Sequence, residues 1–151
     1  MFYVILQPIR EKELVVRLYH KDLISFLPRL QILGQWRELS AIASNINKKG
    51  IPNHILVNKI MDYPMNDFVS YAFYVQKEIY ERGYKTTSST WKNIESVCND
   101  INILHLDDIY INWHNKDYLR ICYWNLYEKF LCGGITKQEW GKIAERVDKE
   151  I

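Results

Sequence analysis

Glu38 lies in the middle of a long helical stretch, next to Arg37, with Gln31 and Gly34 nearby. A carboxylate set among small and polar residues can accept or donate a proton and can stabilise a cation that develops beside it. Basic groups cluster in the same part of the chain: Arg17, Lys21, Arg29 and Arg37 are candidates to grip phosphate, and His20 and His54 to touch phosphate or assist proton transfer. Residues 17–60 carry seven Lys/Arg (17, 21, 29, 37, 48, 49, 59) against two acids (22, 38), a balance of +5. Residues 61–111 carry four Lys/Arg against eight acids, a balance of −4. A net charge of only +2 thus conceals a polarised chain suited to presenting one face to a polyanion.

The elements that must position these groups read as helices. Pro28 suits the first position of a helix, where its missing N–H costs nothing, and Gly50 offers a stop after about Asn47. At about 100° per residue, Ile32, Trp36, Leu39, Ala43 and Ile46 share a core face. Gln31, Gly34, Glu38 and Ala41 fall on another face, with Arg37 at its edge and room for a ligand to approach. Further helices are expected over about 53–62, with Asn53 as a possible N-cap, and over about 66–82, ended by Gly83. A polar loop at 85–90 should precede a short helix from Trp91 to Cys98, and Ile109–Ile111 could be extended. A helix over about 117–132 should end at Gly133-Gly134. Thr136-Lys137-Gln138-Glu139 is a capping-box signature for a last helix to about Lys149. The expected fold is all-α, a single domain built on a long central first helix.

Composition narrows the class. One domain with nearly half its residues hydrophobic is long enough for a real core and unsuited to disorder. Eleven Tyr and five Trp serve core packing or stacking on bases; Tyr19 and Trp36 are possible wedges, although Trp36 shares the apolar face. Cys98, Cys122 and Cys132 have no C-x-x-C spacing and fit free buried thiols in a reducing cytosol, hence a cytoplasmic protein. Met1–Leu6 is too short for a signal peptide or a membrane span. His105 and His114 with Asp107 and Asp108 match no strong ligand spacing, and no metal site is expected. There is no phosphate-binding glycine loop and no G-x-S-x-G elbow.

The ordered set Arg17, Trp36-Arg37-Glu38-Leu39, Pro52-x-x-Ile55-Leu56 and Arg82-Gly83-Tyr84 resembles the phage endonuclease V type of pyrimidine-dimer DNA glycosylase. Leu27–Glu38 also looks like small bacterial relatives of that family. The resemblance runs from about Arg17 to Tyr84, and more faintly through Leu119–Leu131. It implies an α-amine that attacks C1′ of a damaged nucleotide, an imine that acidifies C2′, and strand cleavage by β-elimination. It implies a required glutamate, matched by Glu38, and phosphate-gripping arginines, matched by Arg37 and Arg17. A third family arginine falls on Ala41 and a family histidine on Gln31, which bears on substrate range. It further implies double-stranded damaged DNA as partner, a monomer, and no metal or organic cofactor, since the imine itself is the electron sink. The alternative is a non-catalytic nucleic-acid-binding protein on the same helical scaffold.

An α-amine suits that chemistry. Its pKa is near ~7.8 against ~10.4 for Lys, so roughly one amine in seven is neutral at pH 7, against about one lysine in 2,500. The family nucleophile should immediately precede Arg17, a position held by Val16 with residues 1–15 ahead of it. A peptide nitrogen cannot form an imine, so two expectations follow. In one, residues 1–15 are an untranslated extension and the domain spans 16–151: Val16 is read from an initiating GTG codon, and Lys12-Glu13 from a ribosome-binding AAGGAG. In the other, the extension is real, and lyase chemistry is lost or a lysine such as Lys21 replaces the amine.

Overall fold

The computed structural model describes residues 17–149; Val16 and the segment before it lie outside the described residues. It is all-α, a single domain, with no strand among the described residues. A 3-10 turn, Lys21–Phe26, leads into the long helix α1, Arg29–Lys49. Then follow α2 (Met65–Glu81), α3 (Ser88–Glu95), α4 (Lys116–Leu131) and α5 (Lys137–Asp148).

Helix α1 is central because it presents apolar side chains at helical spacing: Ile32, Trp36, Leu39, Ile42 and Ala43 are buried. They face α2 and α3. Trp36 stacks on Trp91 with centroids 6.4 Å apart, so it packs inside rather than serving as a wedge. Pro28 occupies the cap position rather than the first turn, its carbonyl receiving Ile32 N–H at 2.9 Å. Gly50 closes the helix at φ 79°, a left-handed conformation that glycine adopts without Cβ strain. Helix α2 buries Phe68, Tyr71, Ala72, Val75 and Ile79. The capping box of α5 forms as its sequence predicts, with Thr136 and Glu139 exchanging hydrogen bonds.

Four local expectations are corrected. No α-helix spans 53–62; only a 3-10 turn, Asn58–Asp62, forms there. Asn53 adopts φ 65°, and the side chains of His54 and Asn58 capture nearby backbone N–H groups, which diverts the chain from an α-helix. Helix α3 starts inside the expected loop, at Ser88, because Thr87 caps it. The extended stretch at Ile109–Ile111 breaks at Tyr110, whose φ of 49° turns the chain while its N–H donates to Asp67 Oδ2 at 3.0 Å. Of the three thiols only Cys122 is buried; Cys98 is intermediate and Cys132 exposed.

A candidate active site around Glu38

Residues 17–20 run beside the middle of α1, and one side chain fixes their register. Gln35 is 1% exposed and uses its amide fully. Its Nε2 donates to Arg17 O at 2.9 Å and to Glu38 Oε2 at 3.2 Å. Its Oε1 accepts from Tyr19 N–H at 2.9 Å and from the Tyr71 hydroxyl at 3.2 Å. The single Tyr71 hydroxyl proton is shared unequally, with Tyr19 O the nearer acceptor at 2.5 Å and Gln35 Oε1 the farther.

Helix α4 closes the other side of this segment. Tyr118, Cys122, Asn125 and Lys129 fall at helical spacing and make one stripe. The Tyr118 hydroxyl donates to Leu18 O at 2.5 Å, and His20 N–H donates to Cys122 Sγ at 3.3 Å. The Tyr19 hydroxyl donates to Asn125 Oδ1 at 3.4 Å, and Lys129 Nζ sits 5.9 Å from the centre of the Tyr19 ring. Tyr19 is thereby buried between α1 and α4 and is no wedge.

Glu38 is half-buried at the edge of this sandwich. Burial pushes its carboxyl up to about 7, against the opposing pull of Lys129 and then Arg37. A carboxyl that titrates near neutrality can both take and give a proton at physiological pH. Arg37 is exposed, and a Cβ at Gly34 would meet its guanidinium at 3.8 Å, an ordinary contact. Arg17 is half-buried and turned toward α4, its guanidinium within hydrogen-bonding reach of Tyr118 and Cys122.

The structure thus brings the charges of Lys129 and Arg37 to bear on Glu38 and ties the Arg17 backbone to it through Gln35, while the Arg17 guanidinium faces α4. Other candidates lie elsewhere. Lys21 is neither a solvated charge nor a group open to DNA: it is buried, and Nζ donates to Ile109 O at 2.5 Å and Asp107 O at 3.1 Å. The ring of His20 is also buried, and Nδ1 accepts from Asp22 N–H at 3.0 Å, so it caps the 3-10 turn instead of meeting phosphate. Arg29 is exposed at the N-terminal end of α1, its guanidinium bonded to the Tyr84 hydroxyl at 3.1 Å. His54 lies past the end of α1 and accepts from Leu56 N–H at 3.2 Å.

His105 and His114 do not converge. His105 is exposed, while His114 is buried with Nδ1 accepting from Lys21 N–H at 2.9 Å. Burial, with His20 and Lys21 alongside, depresses His114 to about 2, so it is neutral. No cluster of three potential metal ligands occurs among the described residues.

Gln31, two turns before Glu38 on α1, lines a cleft of about 400 Å³ at the base of the helix, with Oε1 buried and unpartnered. That cleft is lined by Gly134, Thr136 and Glu139 and does not include Glu38.

Sequence reasoning missed Gln35 and the α4 stripe. Gln35 carries a signal, a polar residue one turn before Glu38 among core positions. The repeat 118, 122, 125, 129 is a second. Nothing local ties Lys129 to a carboxylate ninety-one residues earlier (129 − 38).

Among described residues, no helix is long and apolar enough to cross a membrane. No curated protein and no solved structure matches the chain significantly. The sequence model of the family described as pyrimidine dimer DNA glycosylase matches residues 16–92, a span that holds Arg17, Gln35, Arg37 and Glu38. The chain belongs to the pyrimidine dimer DNA glycosylase family.

Proposed function

We propose that the protein is a DNA glycosylase with AP-lyase activity on pyrimidine dimers or abasic sites, acting through the α-amine of residue 16 in a chain that begins there. The observation that carries this reading is the Gln35 amide, which binds the carbonyl of Arg17 and the carboxylate of Glu38 at once. Chain length alone keeps an amine one residue before Arg17 within ~10 Å of that clamp. The family match also begins at residue 16.

The pKa values suit each other. Glu38 at about 7 is within one unit of the ~7.8 of an α-amine, so a proton passes between them at little cost. The neutral amine attacks C1′, and the glycosidic C–N bond breaks with its electron pair leaving on the base. Opening of the sugar ring yields the protonated imine. Loss of the C2′ proton to a base then drives β-elimination, which breaks the C3′–O bond and expels the 3′ phosphate. Glu38 holds the cation at C1′, and Arg37, Arg17 and Lys129 supply positive charge for the flanking phosphates.

Borohydride trapping on duplex DNA with one abasic site tests this. The chain beginning at residue 16 forms a covalent adduct and cuts the strand, and Glu38→Gln abolishes both while still binding DNA. Salt-dependent binding with no adduct in either chain instead identifies a non-catalytic nucleic-acid-binding protein.

A further inference from the structure

The motif Pro52-x-x-Ile55-Leu56 has no part in the chemistry at Glu38, yet its side chains are conspicuous. Ile55 is 84% exposed, Ile51 44% and Leu56 42%. Isolated exposed apolar residues need no explanation, but three within six positions at one loop tip do. The loop is not slack. Asn45 Nδ2 holds Pro52 O at 2.9 Å, Asn58 Oδ1 receives His54 N–H at 3.0 Å, and Asn58 N–H donates to His54 O at 2.8 Å.

Along the chain, the residues flanking this tip carry charge of one sign. Between Leu39 and Met61 the chain carries Lys48, Lys49 and Lys59 and no acid. All three lysines are exposed. A line of positive charge on α1 leads from the active site to the start of this loop. Arg37 and Lys48 are eleven residues apart (48 − 37) on α1, about three full turns, so they project from one face ~16 Å apart. Ala41 lies exposed on the same stripe. The stripe starts beside Glu38 and ends where the loop begins.

We propose that the loop Ile51–Leu56 is a second DNA contact, an apolar wedge that inserts Ile55 and Leu56 between base steps while Lys48, Lys49 and Lys59 hold the flanking phosphates. This rests on the reading of the Glu38 site as acting on DNA. Apolar side chains pushed into a groove unstack and kink a duplex, and the kink repays its cost by wrapping more DNA onto the protein. A bend anchored some five base pairs from Glu38 (~16 Å at 3.4 Å per pair) makes C1′ of the target reachable. Charge complementarity selects a polyanion as occupant, and the Arg37–Lys48 alignment selects the duplex already engaged at Glu38.

The test compares the chain beginning at residue 16 with Ile55→Ser/Leu56→Ser and with Lys48→Ala/Lys49→Ala/Lys59→Ala. All five side chains are solvent-exposed, and circular dichroism confirms folding. Duplexes carry one abasic site, with 2-aminopurine placed at each step on either side. The wild type raises 2-aminopurine fluorescence at a step distant from the lesion. The double serine variant loses that rise and loses about tenfold in kcat/KM on duplex. Its borohydride trapping on single-stranded abasic DNA, which needs no bend, is unchanged. The triple alanine variant lowers the slope of log affinity against log salt by about 2–3. Serine variants with wild-type fluorescence and duplex kcat/KM overturn the proposal. So does a loop that drives the protein onto anionic phosphatidylserine vesicles while leaving duplex binding unaffected. A wild type that fails to trap single-stranded abasic DNA defeats the catalytic reading instead, and the fluorescence and salt-slope readouts still decide the loop.

Discussion

Gln35 Nε2 lies 3.2 Å from Glu38 Oε2, one helical turn along α1, and the same nitrogen holds the carbonyl of Arg17 at 2.9 Å. A single buried amide therefore sets the distance between the segment leading into the domain and the carboxylate at its edge. Such a group is expensive to break, because each partner left behind is a desolvated backbone or hydroxyl group.

Gln35→Leu removes all four hydrogen bonds at nearly constant volume. It strands Tyr19 N–H and Arg17 O, each at about 1–3 kcal/mol, while the Tyr71 hydroxyl keeps Tyr19 O, so urea unfolding should show a loss of roughly 2 kcal/mol or more. Gln35→Glu keeps the acceptor but replaces the amide donor with a second carboxyl beside Glu38. It should retain more stability than Gln35→Leu, yet move the kcat/KM profile against pH to higher values by repelling the Glu38 anion. A unchanged profile in Gln35→Glu would argue that Gln35 does not act through Glu38.

The pH dependence of stability separates two glutamates by sign. Burial raises Glu38 to about 7, so the folded state holds this proton more tightly than the unfolded chain. Its contribution is full below the unfolded value and is lost as pH rises through about 7. Tm measured from pH 4.5 to 8 should therefore fall more for wild type than for Glu38→Gln. Lys129→Ala removes the larger of the two opposing cations, raises Glu38 further and extends the decline to higher pH.

Glu139 behaves oppositely. Burial alone would raise it, but hydrogen bonds from the Arg29 and Thr136 backbones and the Thr136 side chain together hold it below the usual range. Its stabilisation is present above the unfolded carboxylate pKa and is lost as pH falls through the lowered value. Geometrically it caps two helices with one carboxylate: Oε2 accepts from Arg29 N–H at 3.0 Å at the start of α1, and Oε1 from Thr136 N–H at 3.1 Å at the start of α5. Glu139→Ala should cost about 0.5–2 kcal/mol by chemical denaturation. Activity of the folded fraction should be unchanged, since Glu139 lines the cleft at the base of α1 and not the Glu38 site.

Local signals carried much of the fold. Helix α1 was readable because its apolar spacing, Pro28 and Gly50 agree, and α5 because Thr136 and Glu139 form their box within four residues. The stretch 53–62 was not, since side chains of His54 and Asn58 compete with helical bonding in ways that helix propensity does not express. At the site, Glu38 and Arg37 stood out by type and position. The fates of Lys21 and His20 depended on residues 109 and 114–122, whose approach no sequence spacing reveals. The same holds for Lys129, whose charge acts on Glu38 because α4 packs along residues 17–20.

The central claim is that an α-amine at residue 16 engages the sugar beside Glu38. The most direct measurement is to reduce the imine with borohydride on abasic-site DNA, digest the adduct, and locate the added sugar by tandem mass spectrometry. The account predicts the sugar on the α-nitrogen of residue 16, in a native protein whose intact mass excludes residues 1–15. A sugar found on a lysine side chain, or a native mass that includes residues 1–15 in a chain that still traps DNA, would contradict it.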